Sequence, residues 1–123
     1  MPRVTFFELP VDDPERAAAF YRAAFGWEIH QWDGPVEYWL VKTGPAGEPG
    51  INGGLRRRAR PGEAPNACID VSDIDAAMAA IVAAGGTLLS GKLAIPSIGF
   101  YCSFLDPEGN PMAVVEEHGA RNP

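Results

Sequence analysis

Apolar and polar residues alternate in short runs along most of this chain, and twice the alternation gives way to stretches whose apolar residues recur every three or four positions. The first short run, Phe6 to Val11, sends Phe7, Leu9 and Val11 to one side of a predicted strand and Phe6, Glu8 and Pro10 to the other. Asp13 is then placed to cap a helix, Pro14 suits its first position because the missing N–H costs nothing there, and Glu15 favours the helix dipole. Ala17, Phe20, Tyr21, Ala24 and Phe25 follow with the spacing of one helical stripe, and Gly26 is available as the stop.

The same arrangement returns sixty positions later. Between Val11–Gly26 and Val71–Gly86, seven of sixteen positions are identical: Val11/Val71, Asp13/Asp73, Ala17/Ala77, Ala19/Ala79, Ala23/Ala83, Ala24/Ala84 and Gly26/Gly86. Alanines match easily in helices, so the Val, Asp and Gly landmarks carry the comparison. In the second copy Asp73 caps, Ile74, Ala77, Met78, Ile81 and Val82 form the stripe, and Gly85-Gly86 ends it. A strand at Asn66 to Val71 precedes it, with Ala67, Ile69 and Val71 on the helix side and Asn66, Cys68 and Asp70 opposite.

Three strands are predicted after each helix. They are about Trp27–Trp32, Glu37–Thr43 and Ile51–Arg56 in the first copy, and Thr87–Leu93, Phe100–Leu105 and Pro111–Glu116 in the second, separated by Gly- and Pro-rich turns. The expected fold is α+β. Two tandem βαβββ modules, about residues 1–60 and 61–123 of one domain spanning 1–123, would form a curled, partly open eight-stranded cup with the helices outside and a concave face for a ligand.

Charge narrows the function classes. A net charge of −6 argues against nucleic acid as the main partner and suits a neutral or cationic small molecule. The basic run Arg56-Arg57-Arg58-Ala59-Arg60 lies beside a Gly- and Pro-containing stretch and reads as a solvated connector. No segment has the apolar length of a membrane span, and Met1-Pro2-Arg3 leads into a strand without an apolar signal core, so no membrane partner and a cytoplasmic location are expected. In that setting Cys68 and Cys102 are expected as reduced core thiols. Short strands curled into a sheet leave edges, which predicts a homodimer.

The opening Phe7-Glu8-Leu9-Pro10-Val11-Asp12-Asp13-Pro14-Glu15-Arg16-Ala17, then Phe20-Tyr21 and Phe25-Gly26-Trp27, resembles the signature of the vicinal oxygen chelate superfamily, the glyoxalase/bleomycin-resistance/extradiol dioxygenase group. Leu105-Asp106-Pro107-Glu108-Gly109-Asn110, leading into the last strand, is similar to it too. Within the superfamily the likeness is greatest to bacterial proteins related to lactoylglutathione lyase. The resemblance implies a metal centre in enzymes of this kind, with His, Glu or Gln ligands at the start of each module's first strand and on its last strand.

Those places are altered in this chain. Phe6 and Asn66 stand where the opening strands of the enzymes carry ligands, and Ala113 stands where the final strand carries Glu. In Ile51–Leu55 only Asn52 has a donor. His30 and His118 lack the close spacing of a zinc pair, no Ser lies in a Gly-x-Ser-x-Gly elbow, and the Gly pairs lack the Lys-Ser/Thr of a phosphate loop. No catalytic residue is assigned.

The resemblance and the strand parity together lead to one expectation: a small organic molecule bound in a metal-free, largely apolar cup lined by Phe6, Glu8, Asn66, Cys68, Ala113 and Val115, in a resistance or sequestration role. No cofactor is expected. The alternative is a metal-dependent lyase, isomerase or dioxygenase with unusual ligands, and only that alternative calls for a divalent metal. Two further features stand out: a supply of aromatics including Trp27, Trp32, Tyr38, Trp39, Phe100, Tyr101 and Phe104, and Lys92, which could meet an anionic group but more simply is solvated.

Overall fold

The computed structural model describes residues 2–118. Two compact units are present, one from Phe6 to Pro65 and the other made of the opening residues to Thr5 with the chain from Asn66 onward. Their division falls near the expected boundary at about residue 60 but is not identical to it, because Arg3–Thr5, the start of the first strand, group with the second half of the chain.

In the first unit, β1 (Arg3–Val11) leads to α1 (Pro14–Phe25), followed by β2 (Glu28–Gln31), β3 (Trp39–Lys42) and β4 (Asn52–Arg57). The strand order is β2-β3-β4-β1, with β1 and β4 parallel and the other neighbours antiparallel. Asp13 caps α1 by accepting from the Arg16 N–H at 3.1 Å, and Gly26, at φ 73°, ends it in the left-handed region with its N–H on the Arg22 carbonyl.

The second unit repeats the pattern with β5 (Asn66–Asp70), α2 (Ile74–Ala83), β6 (Thr87–Leu88), β7 (Leu93–Ile95), β8 (Gly99–Leu105) and β9 (Pro111–Glu117). Its order β5-β9-β8-β6 mirrors that of the first unit. The predicted strand Thr87–Leu93 is split, because β6 pairs one end of β8 while β7 pairs the other, so the described residues hold nine strands rather than eight. Asp73 caps α2 through the Ala76 N–H at 3.1 Å.

The α+β architecture of two βαβββ modules is the one expected, but the first helix turns a different face inward. Pro14 and Ala18 are buried, and Ala17 and Tyr21 pack beside them against Ile29, Trp39, Val41 and Leu55. Phe20 and Phe25 are 57% and 63% exposed. The stripe begins at Pro14, not at Ala17, so its members fall sixty positions before Ile74, Ala77, Met78 and Ile81, which line the second core.

One substitution between the copies explains a charge reversal. Pro14 has no N–H to satisfy, whereas Ile74, at the equivalent position of α2, donates to the Glu116 carboxylate at 2.9 Å. Counting by strand register, the first-module residue matching Glu116 is Arg57, which has no such donor to meet and pairs with Glu37 instead. No helix among the described residues is long and apolar enough to cross a membrane.

Candidate functional site

Strand alternation gives each sheet two faces, and packing shows which is which. Phe7, Leu9 and Val11 of β1 pack with the α1 core, as Ile69 of β5, Val71 just after it, and Met112 and Val114 of β9 pack with that of α2. Phe6, Glu8 and Pro10 therefore occupy the non-helical face of the first module, and Asn66, Cys68, Ala113 and Val115 that of the second. Register sets Cys68 opposite Ala113 and Asp70 opposite Val115. Neither cysteine is in a disulfide: Cys68 lies on this face, its Sγ 3.5 Å from the Asn66 side-chain oxygen, and Cys102 belongs to the helix-side core.

The first module carries a buried polar cluster on its non-helical face. Glu8 is only 6% exposed. Its Oε2 accepts from the Tyr38 hydroxyl at 2.8 Å, and its Oε1 meets the Arg56 Nε at 3.3 Å. The two terminal nitrogens of Arg56 donate to both carboxylate oxygens of Glu63, at 3.0 and 2.7 Å. Glu63 also accepts from the Ala59 N–H at 2.7 Å, and its pKa is driven down to about 2, chiefly by the Arg56 hydrogen bonds. The same partners raise the pKa of Arg56, the Glu63 hydrogen bond contributing most. A guanidinium forked across one carboxylate and touching a second holds the connector against the sheet.

Backbone geometry makes room for this cluster. Gly54 pairs in register with both Glu8 and Leu40, and the Tyr38 ring lies across it; a Cβ at Gly54 would overlap the phenolic oxygen and the ring. Gly53 does the same for the other face, where the Phe7 ring occupies the space a Cβ would take. The Gly53-Gly54 pair thus admits one aromatic ring on each side of β4.

Register also corrects the assignment of the ligand places. In β9 the residue opposite Cys68 is Ala113, and in β4 the residue opposite Glu8, which is sixty positions before Cys68, is Gly54. Asn52 is two positions away and serves the turn, accepting from the Thr43 N–H at 2.9 Å. The four places are therefore Phe6, Gly54, Asn66 and Ala113. Three of them have no side-chain lone pair, and the Tyr38 ring fills the space over Gly54. These residues do not fit a divalent ion, and among the described residues no group of three or more His, Cys, Asp or Glu is placed to hold one.

The basic run is not the free connector expected from its composition. Arg56 and Arg57 belong to β4, Arg56 with Glu8 and Glu63, and Arg57 with Glu37 at 2.7 Å, while Arg58 reaches Asp12 at 2.9 Å. Composition hid these pairings because the acidic partners come from other strands and loops. The signal that could have found Arg56 is its parity: in a β4 parallel to β1 it shares a face with Glu8. Tyr38 stood among several aromatics with nothing to single it out before Gly54 was placed.

Lys92 is not free either: its ammonium contacts Asp75 at 3.1 Å and lies 4.8 Å from the centre of the Phe100 ring. His118 holds the Glu116 carboxylate at 2.6 Å, and that contact, with the Ile74 N–H, lowers the Glu116 pKa. Both contacts fasten the edge of the second module near the start of α2. His30 is exposed on β2, opposite Leu40.

Residues 3–44 match the family model described as bleomycin resistance protein-like N-terminal. Across 114 residues the chain is 32% identical to a protein of Mycobacterium bovis named as a candidate glyoxylase, CFP32, and to its Mycobacterium tuberculosis counterpart. That alignment covers 89% of this chain and 42% of the relatives, so the chain spans less than half of their length. Among solved structures, a Streptomyces coelicolor methylmalonyl-CoA epimerase superposes with a TM-score of 0.74 over 100% of this chain and 99% of its own, at 19% identity. The Mycobacterium tuberculosis methylmalonyl-CoA epimerase gives 0.70 over 94% and 88%, at 16% identity. A hypothetical protein, BH1468 of Bacillus halodurans, gives 0.74 over 98% of each chain at 11% identity. At such identities these structures speak for the fold alone. With the βαβββ repeat, the signature residues of both modules and these matches together, the chain has the vicinal oxygen chelate fold and is similar in sequence to proteins of that superfamily.

Proposed function

We propose that this protein binds a small organic molecule on the non-helical face of its first module, and that it does so without a divalent metal. The observation that carries the proposal is the exchange at Gly54, where a phenol hydrogen-bonded to a buried carboxylate stands in place of a metal-ligating side chain. A hydroxyl and a carboxylate fixed in position can orient a polar group, and Phe6, Leu40 and the Tyr38 ring supply apolar surface around them. Phe6 and Glu8 keep their place as binding residues, and Tyr38 joins them. In the second module Asn66, Cys68, Ala113 and Val115 form the corresponding face.

A sequestering role agrees with the family model that the first 44 residues match in large part. The names of the relatives and structural neighbours, glyoxylase and epimerase, favour an enzyme instead, and that reading keeps its claim on the same face. We place the protein in the cytoplasm as a homodimer; light scattering at the mass of one chain would remove the second part.

The test is a thermal-shift screen of the full chain against a library of neutral and charged aromatic compounds. A guest that binds only the folded state must raise the melting temperature, and Phe6→Ala should abolish that rise by removing contact area. A hit unaffected by Phe6→Ala and Tyr38→Phe would place binding elsewhere. Turnover of a hit would favour the enzyme reading.

A further inference from the structure

Arg56 is held by two carboxylates of different origin. Glu8 belongs to β1, whereas Glu63 comes from the connector after β4 and sets one oxygen on each terminal nitrogen of Arg56, at 3.0 and 2.7 Å. With Arg60, whose Nη1 lies 4.0 Å from the Glu63 carboxylate, the group is balanced at two guanidiniums to two carboxylates.

The βαβββ module does not need this ion pair to keep its form. Arg56 is the register partner of Pro10, and the residue that partners Asp70, the counterpart of Pro10 in the second module, is Val115. The same row of the same face is thus built there with an apolar side chain, and exchanging a buried ion pair for apolar groups is often neutral or favourable for stability. Nor does the connector depend on Arg56 alone. The Arg58 N–H donates to the Val11 carbonyl at 2.8 Å, and the Glu63 N–H to the Arg60 carbonyl at 3.3 Å, across a turn with Gly62 at φ 76°. Released from Arg56, the Glu63 carboxylate keeps Arg60 and the Ala59 N–H, the latter at 2.7 Å.

A planar carboxylate seated across a guanidinium fork is the arrangement by which arginine recognises carboxylate ligands. Here the chain itself supplies the carboxylate, and the Tyr38 ring lies beside the fork, over Gly54, two residues before Arg56 on the same side of β4. Resting on the small-molecule reading above, we propose that Arg56 anchors a carboxylate-bearing small molecule, and that Glu63 is a tethered stand-in which yields the fork and turns to Arg60 when the ligand enters. The ligand's carboxylate takes both terminal nitrogens, its apolar body lies against the Tyr38 ring, and Arg56 keeps Glu8 throughout. Because Glu63 is attached to the chain, the ligand meets only the fraction of molecules whose fork is open, and its apparent affinity is reduced by that fraction.

The test is an NMR titration of the full chain with benzoate, its neutral counterpart benzamide, and benzylammonium, at 0.15 M salt, where charges more than about 8 Å away are largely screened. Benzoate should give saturable shifts of the Arg56 Nε–H and of the Ala59 and Glu63 amides, and the other two probes should leave these signals in place. Glu63→Gln should raise the affinity for benzoate at least about tenfold, the reverse of what losing a purely structural carboxylate would do. Glu63→Asp, too short to span the fork, should raise it as well and replaces Glu63→Gln if the latter loses its amide dispersion. In either background Arg56→Lys, which keeps the charge but not the fork, should remove the gain. Benzoate affinity that is unchanged or lower in the Glu63 variants, or benzamide binding as tightly as benzoate, would overturn the proposal. A neutral compound from the thermal-shift screen that moves Phe6 and Tyr38 but not Arg56 would show that the small-molecule reading had outlived it.

Discussion

The Tyr38 ring occupies the space a Cβ at Gly54 would take, and its hydroxyl donates to the Glu8 carboxylate at 2.8 Å. Two strands and a loop residue are joined there by one hydrogen bond that needs a missing Cβ.

Gly54→Ala should therefore push the phenol off Glu8. We expect a loss of about 1–3 kcal/mol in urea unfolding, from overpacking together with the broken bond to a buried carboxylate. In a Tyr38→Ala background the same glycine substitution should cost much less, because nothing then occupies the space. Additive losses in this double-mutant cycle would contradict the contact.

Arg56 neutralises Glu8 where water hardly reaches. Arg56→Met should cost about 2–3 kcal/mol, toward the low end for a broken buried pair because Arg56 keeps some contact with solvent. Adding Glu8→Met should restore part of the loss, since the carboxylate of Glu8 is then gone and only Glu63, which keeps Arg60 and the Ala59 N–H, has lost its Arg56 partner. Chemical denaturation of the two variants decides it: a double variant weaker than the single one would rule out the charge-pairing account.

Acid should loosen the connector through Glu63. Its folded pKa, about 2, is below the ordinary glutamate value of 4.5, so the contribution of this group is present above that value and lost as pH falls from there toward 2. Urea midpoints measured at intervals between neutral pH and pH 2 should fall more steeply for the natural chain than for Glu63→Gln. Parallel curves would show that Glu63 is not held by Arg56 in solution.

The two adjacent phenylalanines of β1 should behave differently. Phe7 packs with Trp27 on the helix side, ring centres 6.0 Å apart, so Phe7→Ala should cost about 2–4 kcal/mol of stability. Phe6→Ala should cost less stability and more affinity for any guest. Comparing melting temperature and binding for both variants checks the assignment, and a reversal would move the site to the other face.

Strand parity, the sixty-residue repeat and both helix caps were legible before any coordinates, because period-two alternation and cap chemistry are local properties. Phe6 and Phe7 could be assigned to opposite faces on that basis alone. The α1 stripe was misplaced by three residues because Phe20 and Phe25 outweigh Pro14 and Ala18 in any count of apolar bulk, although the better-spaced second copy marked the right positions. Tyr38, Arg56 and Glu63 were out of reach for a different reason. Their partnership with Glu8 depends on β4 running parallel to β1 in a particular register, with a glycine under the ring, and neither register nor clearance is written in composition.

Metal content bears most directly on the central claim, that the first module's face works with a phenol and a carboxylate in place of a bound ion. Elemental analysis of the chain purified without chelators or added metal should find less than about one tenth of a divalent ion per chain, since Phe6, Gly54 and Ala113 offer no lone pair. Adding zinc, nickel, manganese or iron should leave the melting temperature unchanged. Stoichiometric metal, removed by a chelator with a fall in melting temperature, would contradict the account.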